Sequence, residues 1–595
     1  MKKGFLIFLI ICSYFTANSQ VNKPKKKEVP VKLKDTVKTE VVEIVTKYNP
    51  KISDATKIKI NPVIQLSENT KKKKLAYTIF SAPVASTFIP KSGVVKGIDV
   101  GVKERIYNNY VAAGFGNYTS PYTEIYLHNS NRFESEFGLS AKYNASFDNI
   151  ENTVLDSNFE NFIASIFYKK EGRYFDWKTV LNTKRSQYNW YGLPSLDFNE
   201  NTINTINEEQ TYNYFNVLGE IDFLDSYIDK SSLSLSYFND RFNSNEILIN
   251  LNTALDLPLD FISNSLKNMY LKTSLEFLTG GFTSNYTGDN ELNYSIFTAG
   301  LNPEYKTTFG GFSIKLGAKI FGSFDTENSI NNFLIYPDIK IETPIIKDYL
   351  NFYAGINGDL KTNTYKNFSE ENPYVSPTLF MTQTSEKYNV FTGVNGTIDN
   401  SFSFNISANI KEEQDKPLFI KNNSKSTGTN TTLNSISLKG YEFGNSFNVV
   451  YDDIKTTTLF AELEYDFTKK ITVGTSLQYD NYTTTNQFEA WNLPTFQTSL
   501  IGKFKSDKWY ATTNVFYVSE RKDVLYTDQF PSTSNGIQTV NSFVDINLNG
   551  GYHFSDKFSS FLKLNNILNS NYERFANFNV QGFQVLGGLT YKFDF

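Results

Sequence analysis

The sequence predicts an all-β fold, an antiparallel transmembrane β-barrel of about 22 strands with an N-terminal Lys-rich extension. Three observations predict it. From about residue 108 onward, apolar and polar residues alternate in segments of roughly ten. No apolar run of helix length remains after the first twenty residues, and aromatic residues such as Tyr118, Tyr122, Trp177, Trp190, Tyr191, Trp491 and Trp509 collect near segment ends. Period-two alternation gives a strand one apolar face, and about 9–11 tilted residues of such a strand cross a bilayer. Backbone groups in hydrocarbon must pair internally, so a chain without membrane helices has closure of its sheet as the solution.

The chain opens with "MKKGFLIFLIICSYFTANSQ", in which Lys2 and Lys3 precede a short apolar run and then small residues. This is the layout of a secretory signal peptide, residues 1–19, cut after Ser19. The run from Phe5 to Phe15 is shorter than the ~20 residues a spanning helix needs. Cys12, the single cysteine, lies within it. The mature chain is therefore expected to hold no disulfide and no Cys-based zinc site.

Residues 20–107 have a different character. Positions 21–75 carry 15 Lys against 6 acidic residues, a net of +9, and Pro24, Pro30, Pro50 and Pro62 discourage a compact helical domain. Lys25–Lys27 and Lys71–Lys74 read as solvated linker, with a patch for anionic lipid or an acidic partner as the alternative. "TEVVEIVTKY" (39–48) reads as a short strand or linker, or as a segment that pairs edge-on with a periplasmic partner. The whole chain has a formal charge of −4, which gives no sign of a nucleic-acid partner.

In residues 108–595 the alternation is direct. "SFSFNISANI" sets Phe402, Phe404, Ile406, Ala408 and Ile410 against Ser403, Asn405, Ser407 and Asn409, and "GFSIKLGAKI" repeats the pattern from Phe312 to Ile320. Strands are expected near 109–118, 121–129, 133–147, 158–170, 173–190, 211–222, 231–250, 270–281, 291–305, 311–323 and 332–342. The second half continues at 349–360, 388–398, 401–412, 441–453, 456–467, 470–479, 495–503, 507–518, 540–553, 557–567 and 583–595. Short links alternate with long polar ones at 361–387, 412–440 and 519–539, the asymmetry of an outer-membrane barrel. A soluble propeller or stacked sandwich is the competing all-β reading, and no blade-length motif repeats.

The stretch "LKLNNILNSNYERFANFNVQGFQVLGGLTYKFDF" then carries a resemblance. Asn565, Asn566, Asn569, Tyr572, Gly582, Gly587 and Gly588 lead into Tyr591, Phe593 and Phe595. This resembles the C-terminal end of TonB-dependent outer-membrane receptors. The entry "SAPVASTFIPKSG", followed by "ERIYNNYVAAGFGNYTSPYTEIYLHN", is similar to plugless, receptor-like barrels of Bacteroidetes. The resemblance implies a Gram-negative outer-membrane location and transport. It also implies that Tyr591, Phe593 and Phe595 are the signal read by the barrel assembly machinery. The departure is at the N-terminus, where 88 Lys-rich residues leave no room for a standard plug.

No catalytic, metal or cofactor site is expected. His128 with Ser130, and His553 with Ser555 and Asp556, are sequence neighbours, which do not make an arranged site. Glu412, Glu413 and Asp415 lack calcium-loop spacing and read as a solvated loop face. Gly280–Gly281 and Gly310–Gly311 read as bulges or tight turns. Trp190, Tyr191 and Trp491, in "YNWYGLP" and "EAWNLPTF", are the candidates for ligand or partner contact in loops, with a place in an interfacial aromatic girdle as the alternative. The partners expected are outer-membrane lipid, the assembly machinery and a periplasmic or surface protein. Transport is the first functional reading, and an accessory or scaffold barrel or an open diffusion pore are the others.

Overall fold

A computed structural model describes residues 106–131, 134–194, 198–260, 268–288, 290–399, 401–426, 438–527 and 532–595. The signal peptide and nearly all of the Lys-rich segment, including 39–48, lie outside the described residues. The alternating segments form strands β1 (Asn109–Gly116), β2 (Ser120–Asn131), β3 (Ser135–Ser146), β4 (Phe159–Lys170), β5 (Phe175–Asn189), β6 (Glu209–Phe223), β7 (Ile228–Asp240) and β8 (Asn245–Leu257). There follow β9 (Met269–Phe282), β10 (Leu292–Phe309), β11 (Phe312–Asp325), β12 (Ile330–Ile346), β13 (Leu350–Lys361), β14 (Thr384–Ile398), β15 (Phe402–Lys421), β16 (Phe447–Thr468) and β17 (Ile471–Thr484). The chain continues through β18 (Phe496–Lys505), β19 (Trp509–Val518), β20 (Arg521–Tyr526), β21 (Ser534–Val540), β22 (Phe543–His553), β23 (Phe558–Asn565), β24 (Glu573–Phe575), β25 (Phe578–Asn579) and β26 (Gln584–Phe593).

Twenty-two of these make one antiparallel sheet, each pairing with the next, while β20–β21 and β24–β25 are separate two-stranded hairpins within connections. The sheet closes on itself. β26 pairs with β1 from Asn109 opposite Phe593 to Gly116 opposite Leu586. The two backbones approach so closely that a Cβ on Gly588 would sit 2.5 Å from the Ala113 carbonyl oxygen, which only glycine allows.

Alternation sorts the side chains. On β10, Phe297 and Leu301 are exposed while Tyr294, Thr298 and Glu304 are buried. Leu181, Phe215, Val217, Leu233, Leu235, Leu459, Leu477, Leu500 and Leu589 extend the outward apolar band around the barrel. Exposed aromatics ring it at both levels. Tyr174, Tyr227, Phe309, Tyr349, Phe467, Trp509 and Phe554 lie at the short-turn end, and Phe115, Tyr237, Phe324, Phe333 and Tyr479 toward the other. That is the interfacial belt of an outer-membrane barrel.

The strand number agrees with the sequence expectation, but at two places the division into strands differs from it. Residues 231–250 are not one strand. They turn at 241–244, where Asp240 Oδ1 accepts the Phe242 and Ser244 N–H groups, each at 2.9 Å, and Asn243 takes φ +63°. Conversely, 441–453 and 456–467 are not two strands, because β16 runs unbroken for 22 residues and its ladder to β15 continues past a register shift between Glu413 and Lys416. Glu412, Glu413 and Asp415 therefore belong to β15 rather than to a loop. Glu413 is ringed by Lys361, Lys411 and Lys416 at 3.2, 3.1 and 2.6 Å. Gly310 and Gly311, at φ +58° and +88°, form the tight turn between β10 and β11, whereas Gly280 and Gly281 lie within β9.

Candidate functional site

Residues 117–119, 147–158, 190–208, 241–244, 283–291, 326–329, 362–383, 422–446, 485–495, 519–542 and 566–583 connect odd-numbered positions of the barrel to the next strand, so all leave the same end. Most are long, and their apolar residues have nowhere to go but onto one another. Tyr191, Ile206, Phe368, Val375, Leu379, Met381, Phe443, Phe575 and Phe578 join Tyr212, Phe238 and Phe282 of the wall in a single buried cluster.

The connection 362–383 spans the mouth. Thr364 caps a short helix, α2 (Tyr365–Glu371), by accepting the Asn367 N–H at 3.1 Å; α1 (Glu200–Ile203) lies in an earlier connection. The first helical N–H groups have no intrahelical partner. Glu246 of β8 supplies one, accepting from Tyr365 N at 2.6 Å and Lys366 N at 3.2 Å, and it also accepts the Tyr294 hydroxyl at 2.9 Å. The Tyr365 hydroxyl donates to Asp240 Oδ2 at 2.8 Å, and Tyr212 donates to the Pro373 carbonyl at 3.0 Å. Gln383 donates to Thr298 at 2.9 Å and accepts from Ser323. Lys184 of β5 reaches Glu370 at 2.9 Å, and Lys366 reaches it at 2.7 Å. β5 stands eight strands from β13 in a ring of 22. The segment therefore crosses the lumen.

Burial decides the electrostatics here. Desolvation, reinforced by the Asp240 charge, holds the Tyr365 hydroxyl well above its ordinary value, so it stays a donor. Desolvation alone would raise Glu370, but the bonds from Lys366 and Lys184 outweigh it and hold the carboxyl below the usual range.

Trp190, Tyr191 and Trp491 are all in this loop layer, with rings packed inward. Trp190 is fully buried; its indole donates to the Tyr374 carbonyl at 3.1 Å and its own carbonyl accepts from Asn445 at 2.7 Å. Tyr191 donates to the Asn579 carbonyl at 2.7 Å and packs edge-on against Phe578. Trp491 sits apart from these, among Leu418, Ile454 and Val524. None of the three is exposed. Asp240, Glu246, Tyr365 and Glu370 carry no mark in the sequence that singles them out. The one local signal is Thr364 three residues before Asn367, a cap pattern in a stretch that otherwise reads as loop.

Tyr591 is half-exposed on the outward face and stacks on Phe593, which meets Phe595 edge-on. The final strand ends at Phe593 rather than Phe595. His128 lies 4.0 Å from Glu136 and stacks with Tyr126.

A closed barrel of 22 antiparallel strands with an outward apolar band is the architecture of outer-membrane receptors, and the protein is an outer-membrane barrel. No protein-family model and no curated protein matches the chain. Solved structures do. The ferripyoverdine receptor of the outer membrane of Pseudomonas aeruginosa superposes with a TM-score of 0.59 at 11% identity, over 82% of this chain and 72% of that one. A mutant of the ferric enterobactin receptor of the same organism gives 0.56 at 12%, over 82% and 80%. The siderophore receptor PirA from Acinetobacter baumannii gives 0.57 at 12%, over 82% and 80%. The fold is thus that of these receptor barrels.

Proposed function

We propose that this chain takes part in transport across the outer membrane, as a plugless receptor-like barrel of the Bacteroidetes type whose cargo leaves or enters through the capped end. The receptor fold supports the reading, and the single observation that carries it is the segment 362–383 bound across the mouth. The segment is tied by side-chain hydrogen bonds, by apolar packing and by one isolated bridge, Val375 to Phe447, without being a strand of the barrel ladder, so it can be released without unfolding the barrel. The Lys-rich 20–107 segment is read as periplasmic or lumen-facing, without a standard plug. Tyr591, Phe593 and Phe595 serve the assembly machinery.

The test is conductance in planar bilayers. The full chain is expected to be nearly silent, and a variant lacking 365–373 to conduct. A steady, wide conductance of the unaltered chain would assign it instead to open diffusion pores.

An accessory role, in which the barrel binds other envelope proteins, is the second reading. Mild-detergent purification separates the two, since a stoichiometric partner retained through purification would support the accessory role.

A further inference from the structure

Beneath the cap is a cavity of about 130 Å³ between α2, β24 and the lumen faces of β5 and β6. Its charges do not balance. Lys184 and Lys366 share the single carboxylate of Glu370. Arg574, from β24, forms no ion pair among the described residues; its guanidinium makes a long 3.5 Å contact to the Glu371 carbonyl and lies over the Phe575 ring at 5.9 Å. The cavity is also lined by Ser186, which is 3% exposed and whose hydroxyl has no hydrogen-bond partner. A buried, unpartnered hydroxyl costs about 1–3 kcal/mol, and such groups in native proteins call for a reason. The remaining wall is aromatic, with Tyr214 and Tyr374 both contributing.

We infer that this cavity binds a small ring-bearing carboxylate, the size of a single sugar acid. Arg574 offers a planar fork of donors that matches a carboxylate, and the excess positive charge favours an anion. Ser186 would give and take a hydrogen bond with a ring hydroxyl. Aromatic walls suit the flat, partly apolar body of a ring better than a bare inorganic anion. The volume admits one ring and excludes a polymer. The inference rests on the transport reading only for what the binding is for; the site itself is tested by binding alone.

The experiment is isothermal titration of the purified full chain with glucuronic acid, glucose and inorganic phosphate. Glucuronic acid is expected to bind about tenfold more tightly than glucose or phosphate, the worth of one charge-assisted hydrogen bond. Arg574→Ala should weaken it about tenfold, Arg574→Lys less, and Ser186→Ala severalfold. Heat-modifiable gel mobility reports folding. If Arg574→Ala does not fold, Ser186→Ala and Arg574→Lys decide between binding and no binding at this cavity. Equal affinity for glucose or for phosphate overturns the inference, as does unchanged affinity in the folded variants. Binding without passage of glucuronic acid into vesicles would count against transport and leave the site standing.

Discussion

The Tyr365 hydroxyl lies 2.8 Å from Asp240 Oδ2, joining residues 125 positions apart. Asp240 at the same time holds the turn from β7 to β8 through its other oxygen. One carboxylate thus anchors both the wall and the segment that crosses the lumen.

Tyr365→Phe keeps the ring and removes that bond. The expected result is an intact barrel in which 362–383 opens more readily, by about 1–3 kcal/mol for one buried charged acceptor left short of a donor. Hydrogen exchange over Tyr365–Glu371 checks it, and unchanged protection would refute the anchoring role.

Trp190→Ala removes the largest fully buried ring of the loop layer. A loss of about 3–5 kcal/mol in the stability of that layer is expected. Trp509→Ala, at an exposed girdle position, should leave the loops unaffected. Limited proteolysis of the loops in both variants separates the cases.

The Glu370 carboxyl is held low, so the tie it makes to Lys184 and Lys366 contributes in full above the ordinary carboxylate value of about 4.3 and is lost as pH falls through the lower folded value. Protease sensitivity of α2 should be flat from neutral pH to about 5 and rise only below about 4. Glu370→Gln should remove the dependence; a rise already near neutral pH would show that another group governs it.

Deleting Phe595 should lower the amount of folded barrel in the membrane while leaving the conductance of each folded molecule as before. Quantifying heat-modifiable protein in isolated membranes tests this, and unchanged levels would refute an assembly role for the C-terminal aromatics.

Much of the barrel is legible in the sequence because lipid and lumen impose the period of two on every strand, as on Phe402–Ile410. The two boundaries that differ have physical causes. The 241–244 turn contains no Gly or Pro, and its only cues are Asn243 and a capping Asp240 that look like strand polar residues. In β15 and β16, the charged run at Glu412–Asp415 and Asp452–Asp453 resembles a loop, yet Lys411 and Lys416 of β15 itself and Lys361 of β13 neutralise Glu413 and the ladder persists. The cap is not legible, because Tyr365, Glu246 and Lys184 meet only through long-range contacts that leave no periodic trace. For the same reason the burial of Trp190 and Trp491 is not legible.

The pairing of β1 with β26 has a kinetic meaning. The first and last strands meet along all of β1, so this seam cannot form until β26 is in hand. Until then the growing sheet has two unsatisfied edges, which hydrocarbon does not tolerate. Insertion and closure must therefore be one coupled event, and a barrel halted part-way is a species that needs an escort rather than one that waits in the lipid.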